Sequence, residues 1–399
     1  MKEGWEYKKL KEVGLTQTGT TPSKQIKSFY GGDIPFIRPA ELNIDQNGGI
    51  LYESELKLTE EGALKARVIK ENSVLMCCIG SVGKTGFTLR SVTCNQQINT
   101  ITPYDNYNPK FVYYALISPS FQQEVTKIAN SAKATLPIIS KGKWEVLSIP
   151  IPPLSEQQSI VNYLDSAFAK IDAMKANAEK SLNEAKALFQ ASLKEMLEPK
   201  EGWEEKKVGD ISEIKGGKRL PKGEKLQSEP TSHKYIRVAD FNEYGTVNLD
   251  DILYISDNVY EHIKRYIIKK EDIYISIAGT IGKSGIIPEE LDGANLTENA
   301  CRLILSKEIN QRFMYYITIS PEFIRQEIGS TKISAQPKLA LTRLSDIIIT
   351  FPPLSEQQSI VATLDSLKSK VDRLQANFEK ISQECDALKQ ALLREVFEG

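Results

Sequence analysis

Histidine and cysteine are scarce in this chain of 399 residues, with two histidines, His233 and His262, and five cysteines, Cys77, Cys78, Cys94, Cys301 and Cys385. No two cysteines stand in a C-x-x-C pair, so the sequence offers neither a structural zinc site nor a disulfide scaffold. It predicts free thiols in a reducing cytoplasm. Long apolar runs are missing too. None approaches the ~18 consecutive apolar residues of a membrane span, and the opening Met1–Glu6 has no apolar leader core. The sequence therefore predicts neither secretion nor membrane insertion. An excess of positive charge is also absent: 51 Lys and Arg face 52 Asp and Glu, for a formal charge of −1. Bulk basicity, the usual footprint of a nucleic-acid binder, is excluded, so any such contact has to come from local patches or from a partner.

Catalytic signatures are missing as well. There is no G-x-S-x-G elbow, no H-E-x-x-H pair and no Pro-Asp dipeptide to open a restriction-type nuclease site. The [N/D]-P-P-[Y/F] signature of base amino-methyltransferases is absent, because the Pro-Pro sites read Ile-Pro-Pro-Leu and Phe-Pro-Pro-Leu. These absences describe a non-catalytic chain. What remains is ordinary globular composition, 41% hydrophobic and 26% charged, long enough for at least two domains at about 100–200 residues each.

The chain is written twice. Pro-Pro-Leu-Ser-Glu-Gln-Gln-Ser-Ile-Val fills 152–161 and returns unchanged at 352–361. Glu3-Gly4-Trp5-Glu6 returns as Glu201-Gly202-Trp203-Glu204, and Ile37-Arg38 as Ile236-Arg237, followed by Ala40-Glu41 and Ala239-Asp240. Gly80-Ser81-Val82-Gly83-Lys84-Thr85-Gly86 returns as Gly279-Thr280-Ile281-Gly282-Lys283-Ser284-Gly285. A period near 200 is too long for a solenoid and marks a tandem duplication of one globular unit plus one helix. The shared islands indicate a common scaffold. The divergent stretches between them indicate two surfaces with different targets.

Each half ends in a helical pattern. Pro152-Pro153 opposes continuation of a strand or helix, and Ser155 with Gln158 reads as a capping box, repeated by Ser355 and Gln358. In the second copy Ile360, Leu367, Leu374, Ile381 and Leu388 step by seven, with Leu364, Val371, Phe378, Cys385 and Leu392 between them. This spacing is a coiled-coil seam. The first copy reads Ile160, Leu164, Ala167, Ile171, Met174, Ala178, Leu182, Ala185, Phe189, Leu193 and Met196, with a stutter at 174–178–182. At 1.5 Å per residue such a helix is roughly 65 Å long, more than the diameter of a ~150-residue domain. Most of its seam therefore needs another helix, and duplication predicts that the two copies pair antiparallel about a pseudo-two-fold.

The globular repeats mix strand-like runs with polar loops. Val74–Ile79 and Ile273–Ala278 read as strands, Phe111–Ile117 and Phe313–Ile317 as short helices, and Val146–Ile149 and Ile347–Ile349 as final strands. Together they predict an α+β chain of two α/β units, each with a mostly antiparallel sheet. Gly83-Lys84-Thr85 and Gly282-Lys283-Ser284 resemble the end of a phosphate loop. The nucleotide motif needs a glycine five positions earlier, where Cys78 and Ile277 stand, so a nucleotide-dependent enzyme is disfavoured. A short Gly-rich turn can still offer Ser81 and Lys84, or Thr280 and Lys283, to a single backbone phosphate; a tight turn with a solvated lysine is the alternative. Lys218, Arg219 and Lys222 lie in a Gly-, Lys- and Pro-rich loop whose counterpart holds Thr20, Ser23 and Lys24; both are candidate DNA-contact loops, against the alternative of a solvated charged face. Arg38 and Arg237 are candidates for base or phosphate contact, with an ion pair to Glu41 or Asp240 as the alternative.

This order of parts resembles the specificity subunit of Type I restriction–modification systems, and the resemblance covers essentially the whole chain. It implies two target recognition domains, 1–154 and 199–354, each reading half of a split site in double-stranded DNA. It also implies two spacer helices, 155–198 and 355–399, forming an antiparallel coiled coil that sets the gap between the half-sites. Two methyltransferase subunits would dock on this scaffold, and motor-nuclease subunits would join for restriction. S-adenosylmethionine and ATP with Mg would belong to those partners, with no cofactor or metal in this chain. A coiled-coil scaffold or adaptor that binds no DNA is the competing expectation.

Overall fold

The computed structural model describes residues 4–42, 49–131, 135–330 and 339–399. Met1–Glu3, part of the stretch that predicts no leader, lies outside them. The chain divides into two compact units, residues 1–177 with 379–399, and residues 178–378.

In the first unit a five-stranded sheet runs in the order Gly14–Thr18, Ile98–Pro103, Val74–Cys77, Thr85–Thr88 and Ile50–Leu51. Every neighbouring pair is antiparallel except the last. A second sheet joins Lys57–Leu58, Tyr30–Ile37, Val92–Cys94 and Val68–Ile69. The helix Pro109–Ile117 covers the main sheet and is buried from Phe111 to Ile117. It starts where it does because Pro109 needs no N–H partner and the Asn108 side chain accepts the amides of Lys110 and Phe111. The core beneath it gathers Leu10, Met76, Phe111 and Trp144.

The second unit repeats this plan. Ser212–Gly216, Ala300–Leu305, Ile273–Ser276 and Ser284–Ile286 form an antiparallel sheet, and Leu253–Ile255, His233–Ile236 and Asn295–Leu296 form a smaller one. The helix Gln311–Thr318, capped by Asn310, takes the covering position. The expected α+β class with mostly antiparallel sheets is the one found.

The final strands sit later than the sequence predicts, at Ser148–Ile151 and Ile348–Phe351. Each pairs with the first strand of its own repeat, Glu6–Lys9 or Glu204–Lys207. Pro150 is tolerated because this ladder has two strands only, so both are edges. The Gly-Trp beginning and the Pro-Pro end of a repeat therefore meet, and Trp5 Nε1 donates to Glu156 Oε1 at 2.9 Å.

The long helices span Leu154–Met196 and Leu354–Phe397. The expected capping box is not what starts them. The Pro153 carbonyl already accepts the amides of Glu156 and Gln157 at 2.9 and 3.0 Å, so Ser155 lies inside the first turn. Gln158 turns outward to Asn108 and Asn162. The decisive side chain is Gln157, 1% exposed. Its Oε1 accepts the Asn108 amide at 2.8 Å and its Nε2 donates to the Pro152 carbonyl at 2.9 Å. Gln357 repeats this with Asn310 and Pro352, both at 2.8 Å, and adds the Glu308 carbonyl at 2.9 Å.

The seam also departs from the expected one. Met174 is 57% exposed and Leu388 is 46% exposed. Half-buried Phe168 and Lys175 precede buried Leu182 and Phe189, and these four step by seven, so the first helix needs no stutter. A lysine carries charge and so does not register in an apolar pattern, yet its methylene stem lies along the seam and its ammonium reaches a partner. In the first unit Lys175 pairs with Asp386 at 3.7 Å and Lys389 with Asp172 at 2.5 Å. Numbers rise along one helix as they fall along the other, so these segments run antiparallel.

Removing the buried amide strands an N–H and a carbonyl. Gln157→Ala is expected to destabilise the fold by about 1–3 kcal/mol, while Gln158→Ala on the outward side costs about 0.5 kcal/mol or less. Denaturant unfolding of the two variants compares them directly.

Candidate nucleic-acid interface

The two Gly-Lys segments are hairpin turns between antiparallel strands. In the first repeat Cys77 N donates to the Lys84 carbonyl at 2.8 Å and Gly83 N to the Cys77 carbonyl at 3.0 Å. Ser276, Lys283 and Gly282 repeat the pattern at 2.8 and 3.0 Å. Gly80, Gly83, Gly279 and Gly282 all hold positive φ, from 79° to 93°, which is why glycine recurs there. A nucleotide loop leads from a strand into a helix whose N-terminus faces the phosphates. Here a strand follows at once, and Thr85 and Ser284 point inward, to the Gly83 carbonyl and to Thr318, each at 2.8 Å. Ser81, Lys84 and Thr280 stay exposed. Lys283 is half-buried and donates to the Phe241 carbonyl at 3.3 Å.

Arg38 and Arg237 follow the ion-pair alternative. The Arg38 amide donates to Glu41 at 2.9 Å, and its guanidinium pairs with Glu41 and Glu55, both at 2.7 Å. Arg237 clasps Asp240 in the same way, amide at 2.7 Å and guanidinium at 2.5 Å. The Ile-Arg-x-Ala-[Glu/Asp] string is thus a self-closing loop clamp.

The Gly-rich loops differ in chemistry at equivalent positions. Gly19 N donates to the Ile98 carbonyl at 3.0 Å, and Gly217 N to the Ala300 carbonyl at 2.9 Å, so Thr20 corresponds to Lys218 and Thr21 to Arg219. Thr20 Oγ1 accepts the Arg67 amide at 2.8 Å. Lys218 Nζ lies 5.5 Å from the Tyr266 ring centre. Thr21 bonds Gln96, whereas Arg219 forms a 2.6 Å ion pair with Glu298. Ser23, Lys24 and Lys222 are exposed.

The fold brings these segments together in each repeat. The strand ends pair Thr18 with Asn99, Ile98 with Cys77, and Met76 with Thr85, so the Thr20 loop and the Lys84 hairpin leave one end of the sheet. Loop 95–97 lies between them: Cys78 N donates to the Gln97 carbonyl at 2.7 Å, and Asn95 N reaches the carbonyl of Ile37, next to Arg38, at 3.2 Å. In the second repeat Ile277 N donates to Asn299 at 2.8 Å and Thr297 N to Ile236 at 3.0 Å. The Gly-rich loop, the Gly-Lys hairpin and the arginine clamp thus meet around one central loop per repeat, while no contact ties Ser23, Lys24 or Lys222 to it among the described residues.

Sequence reading missed other residues at the same place. Arg67 reaches the Thr18 carbonyl. Lys264, Arg265 and Tyr266 line a 550 Å³ cleft with Lys215 and Arg302. Its one local signal is the Lys-Arg-Tyr string; strand pairing, invisible in sequence, supplies the rest. Burial pushes the thiols of Cys78, Cys94 and Cys301 up to about 12, so these cysteines carry no thiolate near neutral pH.

Beneath the second hairpin lies Glu327, 3% exposed. A Cβ on Gly282 would stand 2.5 Å from its Oε2. Burial pushes this carboxyl from 4.5 up to about 7. The folded chain therefore holds a proton between these values that the unfolded chain releases, so stability present below 4.5 is lost as pH rises towards 7 and then levels off. Glu327→Gln is expected to flatten that fall, read from melting temperatures between pH 5 and 8.

Comparisons with known proteins agree with this architecture. The family model described as the Type I restriction modification DNA specificity domain matches residues 2–184 and again 200–383. The MjaIX specificity subunit of Methanocaldococcus jannaschii, a Type I restriction enzyme subunit, is 23% identical over 96% of this chain and 91% of its own length. A chain solved in work on complex assembly and conformational transition of the type I R-M system superposes with a TM-score of 0.77 at 19% identity, covering 100% of this chain and 98% of that one. The HsdS subunit from Thermoanaerobacter tengcongensis superposes at 0.54 with 18% identity, over 100% and 98%. With its two matched segments covering most of its length, the chain belongs to the Type I restriction modification DNA specificity domain family.

Proposed function

We propose that this chain is the DNA-reading, non-catalytic subunit of a cytoplasmic Type I restriction–modification enzyme, each repeat reading one half of a split site in double-stranded DNA. The observation that carries the reading is the convergence, in both repeats, of sequence-distant polar loops on one end of the main sheet. Thr20, Ser23, Lys24, Ser81 and Lys84 supply contacts from the first repeat, and Lys218, Arg219, Lys222, Thr280 and Lys283 from the second. Arg38 and Arg237 hold the loops between them in shape. Phosphate contacts set position and the divergent loop side chains read bases.

The long helices set the gap between half-sites and carry two methyltransferase subunits. Support comes from Tyr163, Met174, Leu188 and Leu388, which stand 46–59% exposed along those helices. S-adenosylmethionine, and ATP with Mg for restriction, belong to the partners.

The test is genome-wide adenine methylation in cells making the methyltransferase subunit with and without this chain. The expected result is a new split motif of fixed gap that appears only with the chain. An assembled complex that adds no methylation overturns the reading.

A further inference from the structure

We propose that phosphate grip is unequal between the two repeats: the cleft at the end of the second main sheet is a DNA-backbone anchor, and the first repeat lacks its counterpart. The inference rests on the reading of this chain as DNA-binding, and goes beyond it by assigning the electrostatic share of binding to one half.

The cleft is built, not a chance gathering of surface lysines. The helix Asp257–Ile263 ends at its rim. Buried Asn295, 1% exposed, donates from Nδ2 to the Ile263 carbonyl at 2.9 Å and to the Tyr266 carbonyl at 3.4 Å. Tyr266 N closes a turn on Ile263, and Leu296 N binds the Tyr266 carbonyl, both at 2.9 Å. This pinned turn presents Lys264, Arg265 and Tyr266 on one side of the cleft, and Lys215 stands on the other. The floor is Arg302, locked to buried Asp272 at 2.7 Å.

The charges are available. Arg265 is exposed and forms no ion pair among the described residues. Lys264 and Lys215 touch Glu261 and Glu213 at 2.7 and 2.9 Å, but these carboxylates are 62% and 63% exposed. Pairs so open to water are weak, so a phosphate displaces them at little cost. Lys218, held over Tyr266, extends the same positive strip towards the Gly-rich loop.

Strand register identifies the counterparts in the first repeat. Lys215 faces Arg302 across the second sheet, and Gln17 faces Thr100 across the first. Lys218 and Arg219 correspond to Thr20 and Thr21. The Lys264-Arg265-Tyr266 turn corresponds to Lys65-Ala66-Arg67, where Arg67 is folded onto the Thr18 carbonyl. Cations at Lys215, Lys218, Arg219, Arg265 and Arg302 thus stand where the first repeat has neutral side chains.

Counterion release makes this measurable. The slope of log affinity against log salt changes by about 0.9 for each phosphate contact on duplex DNA. The probe is a short mixed-sequence duplex, bound by the full-length chain in complex with its methyltransferase subunits. Lys215→Ala, Lys264→Ala and Arg265→Ala together are expected to flatten the slope by about two to three, and Lys65→Ala with Arg67→Ala by less than one. Arg265→Ala alone, at an exposed position, should remove nearly one, and Arg265→Lys should restore most of it. Retained binding with an unchanged slope, or equal losses from both repeats, overturns the inference and leaves the DNA-binding reading standing. A wild-type complex that binds no duplex at any salt overturns that reading and this inference with it.

Discussion

A buried amide at the root of each long helix is the contact on which the rest is arranged. Gln157 and Gln357 each join three separate stretches of chain: the Pro-Pro turn, the start of the covering helix and the first turn of the long helix. Such a group has to satisfy both ends of its amide inside the protein, because no water reaches it. That requirement fixes where the helix begins and how it leaves its repeat. Further anchors follow on the same side. Asp165 takes the Tyr114 hydroxyl and pairs with Lys110 at 2.7 Å. Asp365 takes Tyr316 at 2.5 Å and Arg312 at 2.6 Å. Asp172 then holds Lys389 of the other long helix at 2.5 Å, whereas Asp372 pairs with Lys368 of its own helix at 2.6 Å. Steps of seven and eight return to one helix face, so a polar line runs beside the apolar seam, with three anchors in the first copy and two in the second.

This arrangement explains what could be read in the sequence. Four residues of the duplicated decapeptide have a fixed structural role in the first repeat. Pro152 offers a carbonyl, Glu156 meets Trp5, Gln157 is the latch and Ile160 enters the seam. The glycines of the Gly-Lys turns were legible because positive φ restricts the choice of residue. The coiled-coil class followed from spacing alone. Errors came where side chains act against type. Lys175 and Lys389 take seam positions assigned to Met174 and Leu388, since a lysine can bury its stem while its head finds an aspartate. Ser155 has the residue type of a cap, yet the Pro153 carbonyl already begins the helix ahead of it.

The candidate interface was legible only in pieces. The Gly-rich loops and Gly-Lys turns could be marked one by one, but their meeting around loops 95–97 and 297–299 depends on pairing between strands far apart in sequence. The cleft residues were harder still. Lys264 and Arg265 gain meaning from the distant Asn295, which pins the turn that carries them. The equivalence of Arg302 with Thr100 appears only when the two sheets are read in register.

Near-neutral net charge and a strip of positive charge are compatible once charge is considered locally. The strip at the second repeat is accompanied by Glu213, Glu261 and Glu298, each paired with a neighbouring cation. The pairs of Glu213 and Glu261, open to water, keep their lysines positioned without holding them tightly, whereas Glu298 is only 26% exposed. Arg302 and Asp272 behave differently: both are almost fully buried at 11% and 4% side-chain exposure, and separating them would leave a charge in a poor medium. The buried pair is therefore the fixed floor and the open pairs are the exchangeable contacts. The first repeat keeps exposed Lys65 and Lys84 at its sheet end but has Gln17, Thr20, Thr21, Ala66 and Thr100 where the second has cations, and its Arg67 is tied to the Thr18 carbonyl, a surface with less Coulombic reach and more directional hydrogen bonding. One scaffold can thus carry a half that locates the backbone by charge and a half that contributes through closer, less salt-sensitive contacts.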